Sequence, residues 1–326
     1  MENLIYKFIT QLEEALVIGE STKVNAIKDI KNVLITGMGG SGIAGKFVSE
    51  IMKIHGTVPV TVINSYEIPS WVDESTLALV SSYSGNTEET LEAYRKLVIK
   101  KANIIVITSG GTVMKMAQEY GNSVFSMPGD WGAPRACIGY SMVFQLFALL
   151  NFGLLRLELP RELSLVIDLL LSERNSINHE AKEIATKMGA KIPLIYSDSI
   201  FEPVAIRFRQ QLNENSKIHS YNAVFPEMNH NEIAAWTYDI KEFSAVFIMS
   251  DMYHENVYKR IKISKELMIK YTDRIIDINA KGYTLLQQFF YTIHLTDWIS
   301  WFVARQRGVD AMDIQNIIYL KTQLGK

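Results

Sequence analysis

The stretch Asn32-Val33-Leu34-Ile35-Thr36-Gly37-Met38-Gly39-Gly40-Ser41-Gly42-Ile43-Ala44-Gly45 decides how the rest of the chain is read. Its first five residues form an apolar, partly β-branched run of the kind that makes a strand buried on both faces. Glycines and one serine end the run, and a helical pattern takes over across 45–54. A strand running through a glycine turn into a helix opens a βαβ unit. Working outward, strands are expected at 58–64, 76–81, 103–108 and 123–127, with helices at 88–101 and 114–120 between them. Such alternation predicts parallel strands joined by crossovers and covered on both faces. A helix over 2–17 and a short helical stretch over 23–30 are expected ahead of the first strand.

The second half repeats the grammar. Helices around 163–187 lead to a strand at 192–196, a helix at 202–213, an extended piece at 218–224, a strand at 245–249, a helix at 255–270 and a strand at 274–278. Leu79-Val80-Ser81-Ser82-Tyr83, before the helix with Tyr94, is echoed by Ile248-Met249-Ser250-Asp251-Met252 before the helix with Tyr258. The expected fold class is α/β, with two copies of one domain at 1–152 and 153–326.

The composition narrows the function. The chain has 326 residues, 48% of them hydrophobic, which is enough to close more than one core. Lys and Arg total 33 against 35 Asp and Glu, so no basic field points to nucleic acid or to an anionic membrane. The single cysteine, Cys137, excludes an internal disulfide framework and a Cys-rich zinc site, and it fits a cytoplasmic protein. Met1-Glu2-Asn3 lacks the positive charge that begins a signal peptide. The stretch 136–155 carries no charge but contains Ser141, Gln145 and Asn151, while 283–303 contains Gln287, Gln288, His294 and Asp297. Both are expected to be buried helices of a soluble protein rather than membrane spans.

Two turns can carry chemistry. In the first, the glycines from Gly37 to Gly45 let the backbone approach a ligand closely, and the helix start behind them favours phosphate. Gly37, Gly39 and Gly42 also satisfy the dinucleotide fingerprint G-x-G-x-x-G. That reading wants an acid at the end of the second strand, where this chain has Asn64-Ser65, with Glu67 in the following turn. In the second turn, Ser81-Ser82-Tyr83-Ser84-Gly85-Asn86-Thr87 sets Ser82, Ser84 and Thr87 in one strand-to-helix connection. Three hydroxyls and the backbone amides can encircle a phosphate without a lysine, although Thr87 is also placed to cap its helix. The Walker A lysine is missing, which disfavours triphosphate hydrolysis. Two such turns on adjacent strands suit one sugar phosphate better than a dinucleotide.

Gly39-Gly40-Ser41-Gly42 followed by Ser82-x-Ser84-Gly85-Asn86-Thr87 resembles the sugar isomerase (SIS) domain. Pro134-Arg135-Ala136, Asn213-Glu214-Asn215, Pro226-Glu227-Met228-Asn229-His230-Asn231-Glu232 and Tyr319-Leu320-Lys321 extend the resemblance to the bifunctional phosphoglucose/phosphomannose isomerases, over nearly the whole chain and in the family's order. Ala44 stands where relatives often have glycine. The resemblance implies two SIS-type domains, each a mostly parallel, doubly wound, flavodoxin-like sheet. It implies an enzyme that interconverts glucose 6-phosphate or mannose 6-phosphate with fructose 6-phosphate.

That reaction opens the hexose ring and moves one proton between C2 and C1 through a cis-enediol, and it calls for neither metal nor redox cofactor. By resemblance, Gly40, Ser41, Ser82, Ser84 and Thr87 hold the phosphate. Glu214 is the base, His230 and Lys321 open the ring, and Arg135 stabilises the enediolate oxygen. The resemblance further implies a homodimer in which His230 reaches the site from the partner subunit. Readings from other classes are another SIS isomerase acting on aminosugar phosphates, a sugar-phosphate-binding regulator without use for Glu214, His230 and Lys321, and, more remotely, a nicotinamide dehydrogenase.

Overall fold

A computed structural model describes residues 1–238 and 241–324. The chain divides into two compact units, Tyr6–Asp168 and Met1–Ile5 together with the chain from Leu169 onward. From sequence the boundary falls between Asn151 and Ala190 and is drawn at 152/153; the two units part inside the long helix α7 (Leu159–Met188).

In the first unit the helices α1 (Glu2–Tyr6, shared with the other unit) and α2 (Phe8–Ser21) precede five parallel strands: β1 (Asn32–Thr36), β2 (Val60–Ile63), β3 (Thr76–Ser82), β4 (Asn103–Thr108) and β5 (Ser123–Ser126). Their spatial order is β2-β1-β3-β4-β5. The connecting helices are α3 (Gly39–His55), α4 (Glu88–Ile99) and α5 (Gly111–Glu119), and α6 (Ile138–Asn151) follows β5. Every residue of the central strand β3 is buried, which is why it reads as an unbroken apolar run. Tyr94 and Leu97 of α4 and Val113 and Ala117 of α5 pack on Leu34, Val80 and Val106 across one sheet face, while α3 and α6 cover the other. The first twelve residues of the uncharged helix α6 are all buried, and α2 and α3 pack against it.

The second unit has four parallel strands in the order β7-β6-β8-β9: β6 (Ile192–Asp198), β7 (Tyr221–Phe225), β8 (Phe243–Met249) and β9 (Ile275–Asn279). Its helices are α8 (Glu202–Ser216), α9 (Glu255–Met268), α10 (Leu285–Gln306) and α11 (Gln315–Leu324). This is the first unit's strand order without the fifth strand, and the sequence echo falls on β3 and β8, the third strand of each copy. Among the described residues no helix is long and apolar enough to cross a membrane.

One expected element is not formed. Residues 23–30 are not helical: Asp29 takes a left-handed φ of 57°, and Asn25 is pinned by its N–H to Ser123 Oγ (2.8 Å) and by Nδ2 to Gly121 O (3.0 Å). Tertiary bonds outweigh the propensity of so short a stretch. The helix expected at 45–54 begins earlier, at Gly39, so the glycine cluster is its first turn rather than a loop before it.

Candidate active site

In a doubly wound sheet, ligands bind beyond the carboxyl ends of the strands where the strand order reverses. In the first unit that point lies between β1 and β3, which pair with Thr36 opposite Val80. The two turns singled out in the sequence leave these two strand ends.

The first turn is held by close packing. A side chain at Gly37 would sit 2.7 Å from Ser81 O, and one at Gly42 2.5 Å from Gly37 O. Asn64, at the end of β2, donates from Nδ2 to Gly37 O at 2.6 Å. The position where a dinucleotide fold wants a ribose-binding acid is therefore spent on bracing the turn, and Glu67 instead pairs with Lys96 at 2.6 Å. Gly39 has φ +53° and open space beside it, and Ser41 is buried in the first turn of α3. Arg135 lies in a 3-10 turn, Pro134–Ala136, and its Cα is 3.2 Å from where a Gly40 side chain would stand. The fold thus sets this buried guanidinium-bearing residue against the start of α3.

In the second turn, Ser82 Oγ and Thr87 Oγ1 lie 3.1 Å apart. Thr87 is the N-cap residue of α4, but its side chain makes no capping bond. Ser84 is exposed and accepts from the N–H of Asn86 at 3.3 Å. The turn is locked to the one after β4: Gly85, at φ +66°, leaves only 1.8 Å between a notional side chain and Gly110 O, so glycine is required there. Asn86 Oδ1 accepts from Thr112 N (3.0 Å) and Oγ1 (2.9 Å). Gly40, Ser41, Ser82, Ser84, Thr87 and Arg135 accordingly gather around two adjacent strand ends. Asn64 and Asn86 are bracing residues that the sequence reading did not single out as such.

Glu214, His230 and Lys321 belong to the second unit. Glu214 is half-buried near the end of α8 and lines a cleft of about 370 Å³ with Asn213, Lys217 and residues 313–317. The inner face of α8 carries Arg207, Gln211 and Asn215, four residues apart and so aligned along one side. Arg207 and Gln211 bond Asp297 at 2.6 and 3.0 Å, and Asn215 donates to Ser300 Oγ at 2.9 Å, all on α10. This buried polar seam fixes the rotation of α8 and turns Glu214 into the cleft. Lys217, in a left-handed conformation that ends the helix, donates from Nζ to Glu214 O and Asp313 O, both at 2.5 Å, and so ties α8 to the approach to α11. Lys321 is exposed on α11, one turn beyond Ile317 of the cleft lining.

His230 ends a 3-10 turn, Glu227–His230, after β7 and is exposed. Its neighbours are occupied: Asn229 bonds Ser264 Oγ (3.0 Å), Asn231 bonds Glu227 (3.2 Å), and Glu232 accepts from Tyr196 OH (2.6 Å). Burial, and next the Glu232 carboxylate, push the Tyr196 hydroxyl well above its ordinary range, so it remains a donor. The loop is rigidly anchored with its imidazole outward. Topology separates His230 from Glu214. α8 runs back against the strand direction, so Glu214 lies at the sheet edge where strands begin, while β7, about 16 Å long at five residues, carries the chain to the opposite edge before His230. His219 is exposed, and Cys137 is buried, with its thiol directed to Ala133 O at 3.7 Å.

Residues 26–149 match the SIS domain family, and residues 177–324 match the family described as bacterial phospho-glucose isomerase C-terminal SIS domain. A bifunctional phosphoglucose/phosphomannose isomerase of Caldicellulosiruptor bescii is 33% identical over 99% of this chain and 98% of its own, and others of that name match over most of the chain. A D-glucosamine-6-phosphate 4-epimerase of Sulfolobus acidocaldarius is 30% identical over 78% of this chain and 79% of its own. Among solved structures, a phosphosugar isomerase fold from Clostridium difficile superposes with a TM-score of 0.79 at 16% identity, covering 98% of this chain and 97% of that one.

Proposed function

The chain belongs to the bifunctional phosphoglucose/phosphomannose isomerase family, and on that premise we propose that it interconverts fructose 6-phosphate with glucose 6-phosphate and mannose 6-phosphate. The observation that carries this reading is the pair of hydroxyl and glycine turns at the β1/β3 strand ends, with Thr87 turned to Ser82 instead of capping α4. Ser41, Ser82, Ser84, Thr87 and the amide at Gly40 bind the phosphate, the helix starts adding favourable dipoles.

Glu214 takes a proton from one of C1 and C2 and returns it to the other, through a planar cis-enediol. Lys321 and His230 assist ring opening by moving a proton to and from the ring oxygen. Arg135 stabilises negative charge on the enediolate oxygen, where a fixed, buried cation acts in a low-dielectric setting. A planar intermediate that turns about its C2–C3 bond can offer either face of C2 to Glu214, which accounts for both C2 epimers as products. His230 acts in a homodimer, supplied by the partner subunit; the opposite-edge placement of Glu214 and His230 within one copy supports this. The single, buried, reduced cysteine supports a cytoplasmic enzyme.

The test is a coupled assay of fructose 6-phosphate with glucose 6-phosphate and mannose 6-phosphate detected separately. Formation of both is expected, and formation of neither overturns the proposal. The Sulfolobus acidocaldarius relative favours a second reading, epimerisation at C4 of an aminosugar phosphate. Glucosamine 6-phosphate converted to its C4 epimer, with fructose 6-phosphate untouched, would select it.

A further inference from the structure

Tyr83 stands between Ser82 and Ser84 in the phosphate turn, yet its side chain points away from them. Its hydroxyl donates to Pro128 O at 3.1 Å and accepts from the Trp131 N–H at 3.2 Å. The Cys137 thiol donates to Ala133 O at 3.7 Å, across Arg135 within the same stretch of chain. The Tyr83 bonds hold the start of the segment 128–137 that carries Arg135 from β5 to α6, and the Cys137 bond closes the turn around Arg135. The Tyr83 carbonyl is fixed in turn, accepting from Ser109 N (3.1 Å) and Ser109 Oγ (2.6 Å).

The segment has little other regular structure to hold it. It contains Gly129 and Gly132, neither with neighbours where a side chain would be, and one short 3-10 turn. Trp131 is anchored by an edge-on contact to Tyr140, with ring centroids 5.6 Å apart, and Tyr140 donates its hydroxyl to Glu14 of α2. Burial raises the Tyr83 hydroxyl to about 12, with Cys137 adding to the shift, so it stays protonated and able to donate at neutral pH.

We propose that Tyr83 is a positioning residue that clasps the 128–137 segment and sets Arg135 against the start of α3, so that the turn receiving the phosphate also fixes the cation for the developing oxyanion. This deepens the isomerase reading and rests on it for its kinetic consequence. Because Arg135 acts on charge that forms during reaction, loosening it lowers kcat rather than affinity.

The experiment compares Tyr83→Phe, Arg135→Gln and the double variant in the full-length protein. With fructose 6-phosphate, Tyr83→Phe is expected to lower kcat roughly tenfold with KM within about twofold, the scale of one lost hydrogen-bond clasp. The double variant is expected to be no slower than Arg135→Gln alone. Unchanged kcat in Tyr83→Phe, or effects that multiply, overturns the proposal. Hydrogen exchange reads the clasp without any activity: amides 128–137 should exchange faster in Tyr83→Phe while those of α4 do not, and an unchanged 128–137 segment refutes the clasp even if the chain proves not to be an isomerase. If Tyr83→Phe does not fold, hydrogen exchange of the wild-type protein carries the test: the Trp131 amide, bonded to the Tyr83 hydroxyl, should exchange slowly, and exchange at the rate of an unprotected amide refutes the clasp.

Discussion

The hydroxyl of Thr87 lies 3.1 Å from that of Ser82 and makes no capping bond to the helix it precedes. A threonine at an N-cap normally satisfies an amide of the first turn. Leaving that amide to another acceptor fits a turn shaped for an anion.

Thr87→Val should therefore weaken substrate binding far more than it destabilises the fold. Hydrogen bonds to charged groups contribute about 1.5–3 kcal/mol, so KM for fructose 6-phosphate should rise roughly 10- to 100-fold while Tm moves by a few degrees at most. Thr87→Ser should restore most of the loss. Steady-state kinetics with thermal unfolding checks this; a large Tm loss with unchanged KM would make Thr87 a structural cap after all.

Glu214 and His230 stand at opposite edges of the second sheet within one copy. Mixing Glu214→Gln and His230→Ala proteins, each inactive alone, should regain activity after subunit exchange, because a mixed dimer contains one intact site. Half of the dimers are mixed at equilibrium, and one of their two sites is intact, so about a quarter of wild-type activity is expected under the shared-site arrangement. No recovery, with mixed dimers shown to form, would mean that Glu214 and His230 of one copy serve the same site, against the shared-site arrangement.

How much of this was legible beforehand follows from what each residue's role depends on. The strands showed because burial on both faces demands unbroken apolar runs, and β1 and β3 are such runs. The phosphate turns showed because glycine and hydroxyl content is local. The stretch 23–30 misled because its conformation is decided by bonds from Asn25 to Gly121 and Ser123, some hundred residues away. The bracing by Asn64 and Asn86, and the clasp by Tyr83, were invisible for the same reason: an amide or phenol in sequence says nothing about which distant carbonyl it meets. The uncharged helix α6 and the Arg207–Asp297 pair lie between these cases, since composition flags burial but not partners.

Arg207 and Asp297 form a buried ion pair at 2.6 Å, with Gln211 sharing the carboxylate. Arg207→Met should leave that carboxylate inside without its counter-charge and cost about 3–5 kcal/mol. Denaturant unfolding measures this, and a loss under about 1 kcal/mol would show that water reaches the seam between α8 and α10.

His294 is fully enclosed in α10, accepting from Trp298 Nε1 at 3.3 Å, and burial, then the nearby Arg174, holds its imidazole down to about 3. The unfolded chain protonates this group near 6.5, whereas the folded one stays neutral. Its contribution to stability is thus fully present above 6.5 and is lost as pH falls from there towards 3, at up to about 1.4 kcal/mol per pH unit. The stability deficit of His294→Gln relative to wild type should shrink between pH 6.5 and 4.5. Stability curves that run parallel over that range would contradict the burial argument.

The most direct measurement follows fructose 6-phosphate by NMR in D2O with wild-type enzyme and Glu214→Gln. The wild type should place deuterium at C1 of recovered fructose 6-phosphate and at C2 of both aldose products. Glu214→Gln should slow this exchange by at least roughly 100-fold while still binding the ligand. Exchange at the wild-type rate in Glu214→Gln, or products formed without any proton movement between C1 and C2, would contradict the account.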